Sequence, residues 1–310
     1  MANVNAWGHR MYPKLRHVAI SGAPYKWNKL PTHKLRTLKL CNQPVVACPS
    51  YALMRNLLSF SASTLETLDV SGLLFFSDRD DDTAIQPVVL PALKALSFAY
   101  QIPDEVTEFL PSIRTPALKR LHITDTYSSS FLAEDEGILP TDDMLERMIQ
   151  YLSLHQVEKL ELNRVVFKDT IPIPEVKDCL MEGGVRVQDV PFTMRFLSAL
   201  TSLKRLTVWA SNDNFLSYLN YPAKPSYSKG GQALHDGAKK KGRHHPYLPM
   251  LEKLFVHGED ENIYWFLAYR ARWTVRQKPL HVVIGETVFD KLDEGRLTAL
   301  QACRLELAYR

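Results

Sequence analysis

The sequence predicts an α/β fold built as a stack, with short parallel strands laid side by side in chain order and a helical return between one strand and the next. Three observations predict it. A hexapeptide template recurs along the chain, its core alternates with the two-residue period of a half-buried strand, and most intervals between copies carry a helical apolar pattern. Six copies read Leu, charged residue, any, Leu, any, apolar: Leu35–Leu40, Leu65–Val70, Leu93–Phe98, Leu118–Ile123, Leu203–Val208 and Leu251–Val256. Chance alone would give on the order of one such match, so the repetition is real.

The elements follow in order. Leu15–Ile20 and Val157–Leu162 fit the template with one substitution each, and Val282-x-Ile284 and Leu300–Leu305 extend it to ten strands. Prolines at Pro13, Pro91, Pro116 and Pro249 stand two residues before the first apolar position, where the chain bends into the strand. Ser50–Ser61 places Leu53, Met54, Leu57 and Leu58 on one helical face, and Asp104–Ile113 does the same with Val106, Phe109 and Leu110. Thr141 is the expected N-cap of a helix over Met144–Leu154, with Asp142 and Asp143 favourably placed in its first turn. Phe192–Leu200 and Asn262–Val275 complete the helices. Strand, helix, strand without room for reversal demands parallel strands and right-handed crossovers. At this spacing the expected architecture is a leucine-rich-repeat solenoid, an arc or horseshoe with a parallel concave sheet and irregular repeats. Residues 1–310 read as a single domain, interrupted by insertion loops near 77–90, 127–141 and 211–249. The last combines Pro222, Pro225, glycines and the basic tract Lys239–His245, a composition that predicts a mobile loop.

The phrases Leu90–Phe98 (LPALKALSF), Thr115–Ile123 (TPALKRLHI) and Leu248–Val256 (LPMLEKLFV) resemble the leucine-rich-repeat region of fungal F-box proteins. The resemblance runs from Pro13 to Leu305. It is weaker to plant-type immune receptors, which use similar repeats. It implies a substrate-holding repeat surface and, where an F-box helical module is present, docking to a ubiquitin-ligase adaptor. No Leu-Pro-x-Glu helix start precedes Leu15, so an adaptor is expected only if an F-box lies upstream. A ligase-independent scaffold or receptor-type repeat domain is the alternative.

Composition narrows the chemistry. Lys and Arg number 38 against 34 Asp and Glu, a net charge of +4 that by itself does not point to nucleic acid. No apolar run reaches the ~18 residues of a membrane span, and the N-terminus lacks a signal core. Cys41, Cys48, Cys179 and Cys303 form no CxxC pair and no glycosylation sequon occurs, so a reducing compartment, cytoplasmic or nuclear, is expected. His235, His244 and His245 lack a carboxylate or thiol at ligand spacing. Asp80–Asp82 lacks the glycine and distal Glu of a calcium loop. Gly230 to Lys239 has the wrong spacing for a phosphate loop, and no Gly-x-Ser-x-Gly elbow occurs. Neither enzyme activity nor a metal or cofactor is expected.

Function is therefore expected on the strand face that the leucines leave open. Residues flanking the two core positions point there. In the first half these are small and polar. In the second half they are Arg120, His122, Lys159, Asn163, Arg205, Trp209, Phe255 and His257, rich in the types that anchor protein interfaces. The expected partner is a protein or peptide segment, acidic or phosphorylated.

Overall fold

A strand forms around each template copy because its two apolar positions lie on one side of the extended chain and can be buried together. Leu38 with Leu40, Leu96 with Phe98, and Leu121 with Ile123 are all nearly inaccessible. The computed structural model describes residues 14–22, 27, 34–43, 48–72, 86–126, 141–167, 192–209, 215, 222–223, 245–246, 248–257, 280–284 and 306–309. The strands are β1 (His17–Ser21), β2 (Thr37–Cys41), β3 (Thr67–Ser71), β4 (Val88–Val89), β5 (Ala95–Tyr100), β6 (Ile113–Arg114) and β7 (Arg120–Asp125). They continue as β8 (Lys159–Asn163), β9 (Arg205–Trp209), β10 (Pro222–Ala223), β11 (His245–Pro246), β12 (Lys253–His257), β13 (His281–Ile284) and β14 (Glu306–Tyr309).

Ten of these make one sheet in the order β1-β2-β3-β5-β7-β8-β9-β12-β13-β14, every neighbouring pair parallel. Register matches template to template, so Leu38, Leu68, Leu96, Leu121, Leu160, Leu206, Leu254 and Val282 form one continuous row. The arrangement is α/β and solenoid-like. A single apolar core runs beneath the sheet from Trp27 to Ile284. The last strand departs from expectation. Val282 pairs with Leu307 and Ile284 with Tyr309, so the tenth strand is Glu306–Tyr309 rather than the segment ending at Leu305. Leu307 and Tyr309 repeat the same apolar-x-apolar spacing without the leading leucine, which is why the template overlooks them.

Among the described residues four α-helices cover the buried side: α1 (Tyr51–Ser61), α2 (Pro103–Phe109), α3 (Asp142–Tyr151) and α4 (Phe192–Ala199). The Ser50 hydroxyl accepts the Leu53 N–H and caps α1 as its composition requires. Thr141 stands at the start of α3 but does not cap it. Its hydroxyl instead donates to the Val166 carbonyl at 2.9 Å, tying the helix to the segment after β8. Phe109 of α2 meets Phe98 of β5 edge-on at 5.6 Å, and α2, α3 and α4 pack against one another in turn. Among the described residues no helix is long and apolar enough to cross a membrane.

The three insertions fall largely outside the described residues, as do the Asn262–Val275 helix, Cys179, Cys303 and residues 239–244 of the basic tract. Several parts of the longest insertion are described. Phe215 is fully buried against Phe167, ring centroids 4.6 Å apart, so this stretch returns to the core soon after β9. Further on, β10 and β11 pair antiparallel, Pro222 with Pro246 and Ala223 with His245.

Candidate functional site

Period-two alternation leaves three rows of side chains on the open face. One row reads Ala95, Arg120, Lys159, Arg205, Lys253 across β5, β7, β8, β9 and β12. The middle row reads Lys39, Asp69, Ser97, His122, Glu161, Thr207, Phe255. The third carries Thr124, Asn163, Trp209 and His257. All eight residues expected at the site therefore share one face, on four adjacent strands.

A groove of about 520 Å³ is sunk into this face, running from Lys39 on β2 to Thr207 on β9. The depression spans six strands, from β2 to β9. Ala95 and Ser97 leave space at its centre, flanked by Asp69 on one side and by Arg120 and His122 on the other. Only the C-terminal part was singled out from the sequence. The N-terminal part, Lys39, Thr67, Asp69, Ala95 and Ser97, falls on the same face by the same alternation, but its small and polar character gives no sign of a groove.

Polar contacts fix the groove's middle. His122 lies within 3.4 Å of Ser97 Oγ through Nδ1 and 3.0 Å of Thr124 Oγ1 through Nε2. Glu161 Oε1 is 3.9 Å from His122 Nε2. Ser, His and Glu in sequence across three strands outline a relay, but 3.9 Å is longer than a hydrogen bond. The backbone N–H groups of these strands are engaged in the ladder, leaving no donor pair beside Ser97 for a developing oxyanion. Lys39 Nζ sits 3.9 Å from Asp69. Burial first, then the Asp69 charge, pushes the Cys41 thiol above its usual range, and Lys39 only partly opposes this. Among the described residues no group of His, Cys, Asp or Glu could hold a metal.

At the far end of β9 and β12, parallel register sets Trp209 beside His257. The rings stack at 3.6 Å with 9° between planes, and Trp209 keeps 37% of its surface exposed. Phe255 lies on the same face as Trp209 but is not its direct neighbour. It pairs in register with Thr207, two residues back along the strand, so histidine supplies the stacking partner instead. Phe255 is half-buried and lies under the Arg205 guanidinium, 4.3 Å from the ring centroid. Asn163 stands between Thr124 and Trp209, half-buried.

One position upstream of the first row, the template's charged residues form a ladder of their own. Glu158 is held by Lys119 at 3.1 Å and Lys204 at 3.0 Å, and these hydrogen bonds pull its pKa below the ordinary carboxylate range. Glu66 likewise lies between Arg36 and Lys94. Among the described residues the open-face cations next to this ladder have no such ion pair. No protein-family model matches the chain, and no curated protein matches it in sequence.

Proposed function

We propose that this chain is a leucine-rich-repeat recognition module that holds a protein partner on the open face of its sheet. One observation carries the reading, the Trp209–His257 stack. A tryptophan more than a third exposed on a rigid strand, held flat by its neighbour, is a preformed apolar plate. Rigid aromatic anchors of this kind lose little entropy on binding and dominate interface energies. Arg205, steadied over Phe255, adds a fixed cation at the other end of the same strand. The leucine-rich reading is supported by one apolar-x-apolar strand per repeat, stacked in chain order. A place as substrate receptor in a ubiquitin ligase follows from the resemblance to F-box repeat regions. A ligase-independent scaffold is the alternative role for the same surface. Recognition is preferred over catalysis because the Ser97–His122–Glu161 set lacks both a tight relay and an oxyanion donor.

The test is to prepare Trp209→Ala and Arg205→Ala, confirm folding by circular dichroism, and compare captured partners with the wild type by quantitative mass spectrometry. Loss of a true anchor costs about 2 kcal/mol, close to thirtyfold in affinity, so the principal partner should fall away. A partner list unchanged in both variants would overturn the reading. Adaptor and cullin peptides among the captured proteins of the full-length gene product would support the ligase role; their absence would favour the scaffold.

A further inference from the structure

We infer that the row Arg120, Lys159, Arg205 and Lys253 binds a single extended, carboxylate-rich peptide segment laid across strands β7 to β12. The inference rests on the open face being a recognition surface and names what one part of it recognises. Register sets the four cations directly beside one another on four consecutive strands, and all four are exposed. Neighbouring strands stand about 4.8 Å apart, a spacing at which like charges on a sheet repel. The adjacent ladder shows how this chain relieves such repulsion, by threading Glu158 between Lys119 and Lys204. Among the described residues no member of the row has an ion pair. Within the described part of the chain the charge of the row is left unneutralised, as on a surface that receives an anionic segment.

Its shape follows from the stripe. The row is one residue wide, flanked on one side by Glu158 between Lys119 and Lys204 with Glu252 beyond, and on the other by His122, Glu161 and Thr207. A nucleic acid, charged across a broad surface, would press its phosphates against these carboxylates. An extended polypeptide presents a line of charge instead. Three strand spacings span about 14 Å, the length of four to five extended residues. Side chains of an extended segment alternate sides, so two or three of its carboxylates face the four cations at once. A phosphate would concentrate nearly two charges at one point of a row that offers single charges in sequence. Three of the four cations also line the 520 Å³ groove, which gives the segment a trough to lie in. The aromatic plate is four residues further along β9, about 13 Å away, so it engages a different part of the partner.

The experiment uses the full chain and a fluorescein-labelled hexaglutamate peptide, followed by anisotropy at low and at physiological salt. Binding should saturate, weaken with salt, and fall about tenfold or more in Arg120→Gln/Lys159→Gln, which removes two charge-assisted contacts. The control, Arg55→Gln/Arg147→Gln, changes net charge equally but lies on helices α1 and α3, away from the open face, and should stay within about twofold of wild type. Equal losses in both double variants would reduce the effect to overall charge and overturn the inference. So would failure of hexaglutamate to saturate. Tighter binding of a phosphoserine peptide or a short oligothymidylate, dependent on Arg120 and Lys159, would assign the row to that chemistry instead. Trp209-dependent capture of a partner alongside no hexaglutamate binding would sink the row and leave the recognition reading standing.

Discussion

Gly22, Asn42, Gly72 and Arg164 each follow the last residue of a five-residue strand, and each has positive φ, between 51° and 62°. Their N–H groups reach the neighbouring strand, Gly22 to Cys41, Asn42 to Ser71, Gly72 to Ala99 and Arg164 to Trp209, at 2.7–3.1 Å. The left-handed turn thus adds one ladder bond before the chain leaves the sheet. Glycine and asparagine accept this conformation readily, and arginine does so at a cost of about 1–2 kcal/mol. Arg164→Gly should therefore stabilise the protein by about 0.5–1 kcal/mol once glycine's greater unfolded-state entropy is deducted, read as a higher denaturant midpoint with unchanged slope. Glu105 is a second local case. It is buried at the start of α2 and accepts the Gln101 N–H at 3.2 Å, yet burial raises its pKa despite that bond. The folded state then holds the Glu105 proton more tightly than the unfolded state, so stability falls as pH rises from the ordinary carboxyl pKa through the raised one. Glu105→Gln keeps an acceptor and removes the charge. It should be the more stable form near pH 7, with the advantage vanishing near pH 4, as denaturant titrations at both would show. The Ser-Gly and Cys-Asn pairs that end the early strands were visible in the sequence, but their role was not, because it depends on where the next strand lies.

At the scale of elements, strand positions were legible wherever the full template occurs, because two leucines on one side leave little choice of register. They were not legible at β14, where Leu307 and Tyr309 lack the leading leucine. Helix α1 was read nearly to the residue, since Ser50 satisfies its first turn from within its own sequence. Thr141 shows the limit of that approach. A distant acceptor, the Val166 carbonyl, competes for the hydroxyl, and only tertiary structure reveals it. Phe215 was hidden for the same reason, as one aromatic in a polar insertion whose partner Phe167 lies far back in the chain. Phe215→Ala should cost about 3–5 kcal/mol, the price of a large cavity in a closed core, whereas Ser50→Ala should cost only about 1 kcal/mol. Thermal or denaturant unfolding of the two variants checks the ordering.

Across the whole molecule, each strand contacts chiefly its neighbours, so stability is a sum of repeats and interfaces between them. Leu121 and Leu206 lie inside the stack, each flanked by leucines on both sides. Leu121→Asp would bury an unpaired charge at the centre of the row and should abolish cooperative unfolding; near wild-type stability would contradict the register. The same stacking brings Arg120, Lys159, Arg205, Trp209 and His257 together from segments far apart in sequence. That they share a face was legible from alternation alone. The groove and the Trp209–His257 stack were not, since both depend on the assembled sheet. The central claim is that partners bind this open face. Hydroxyl-radical footprinting of the chain, free and with a captured partner, tests it most directly. Trp209, His257 and Phe255 should be protected, with the helix residues Tyr51, Phe60 and Tyr151 as reactive as before. Protection of the helix residues with Trp209 left fully reactive would contradict it.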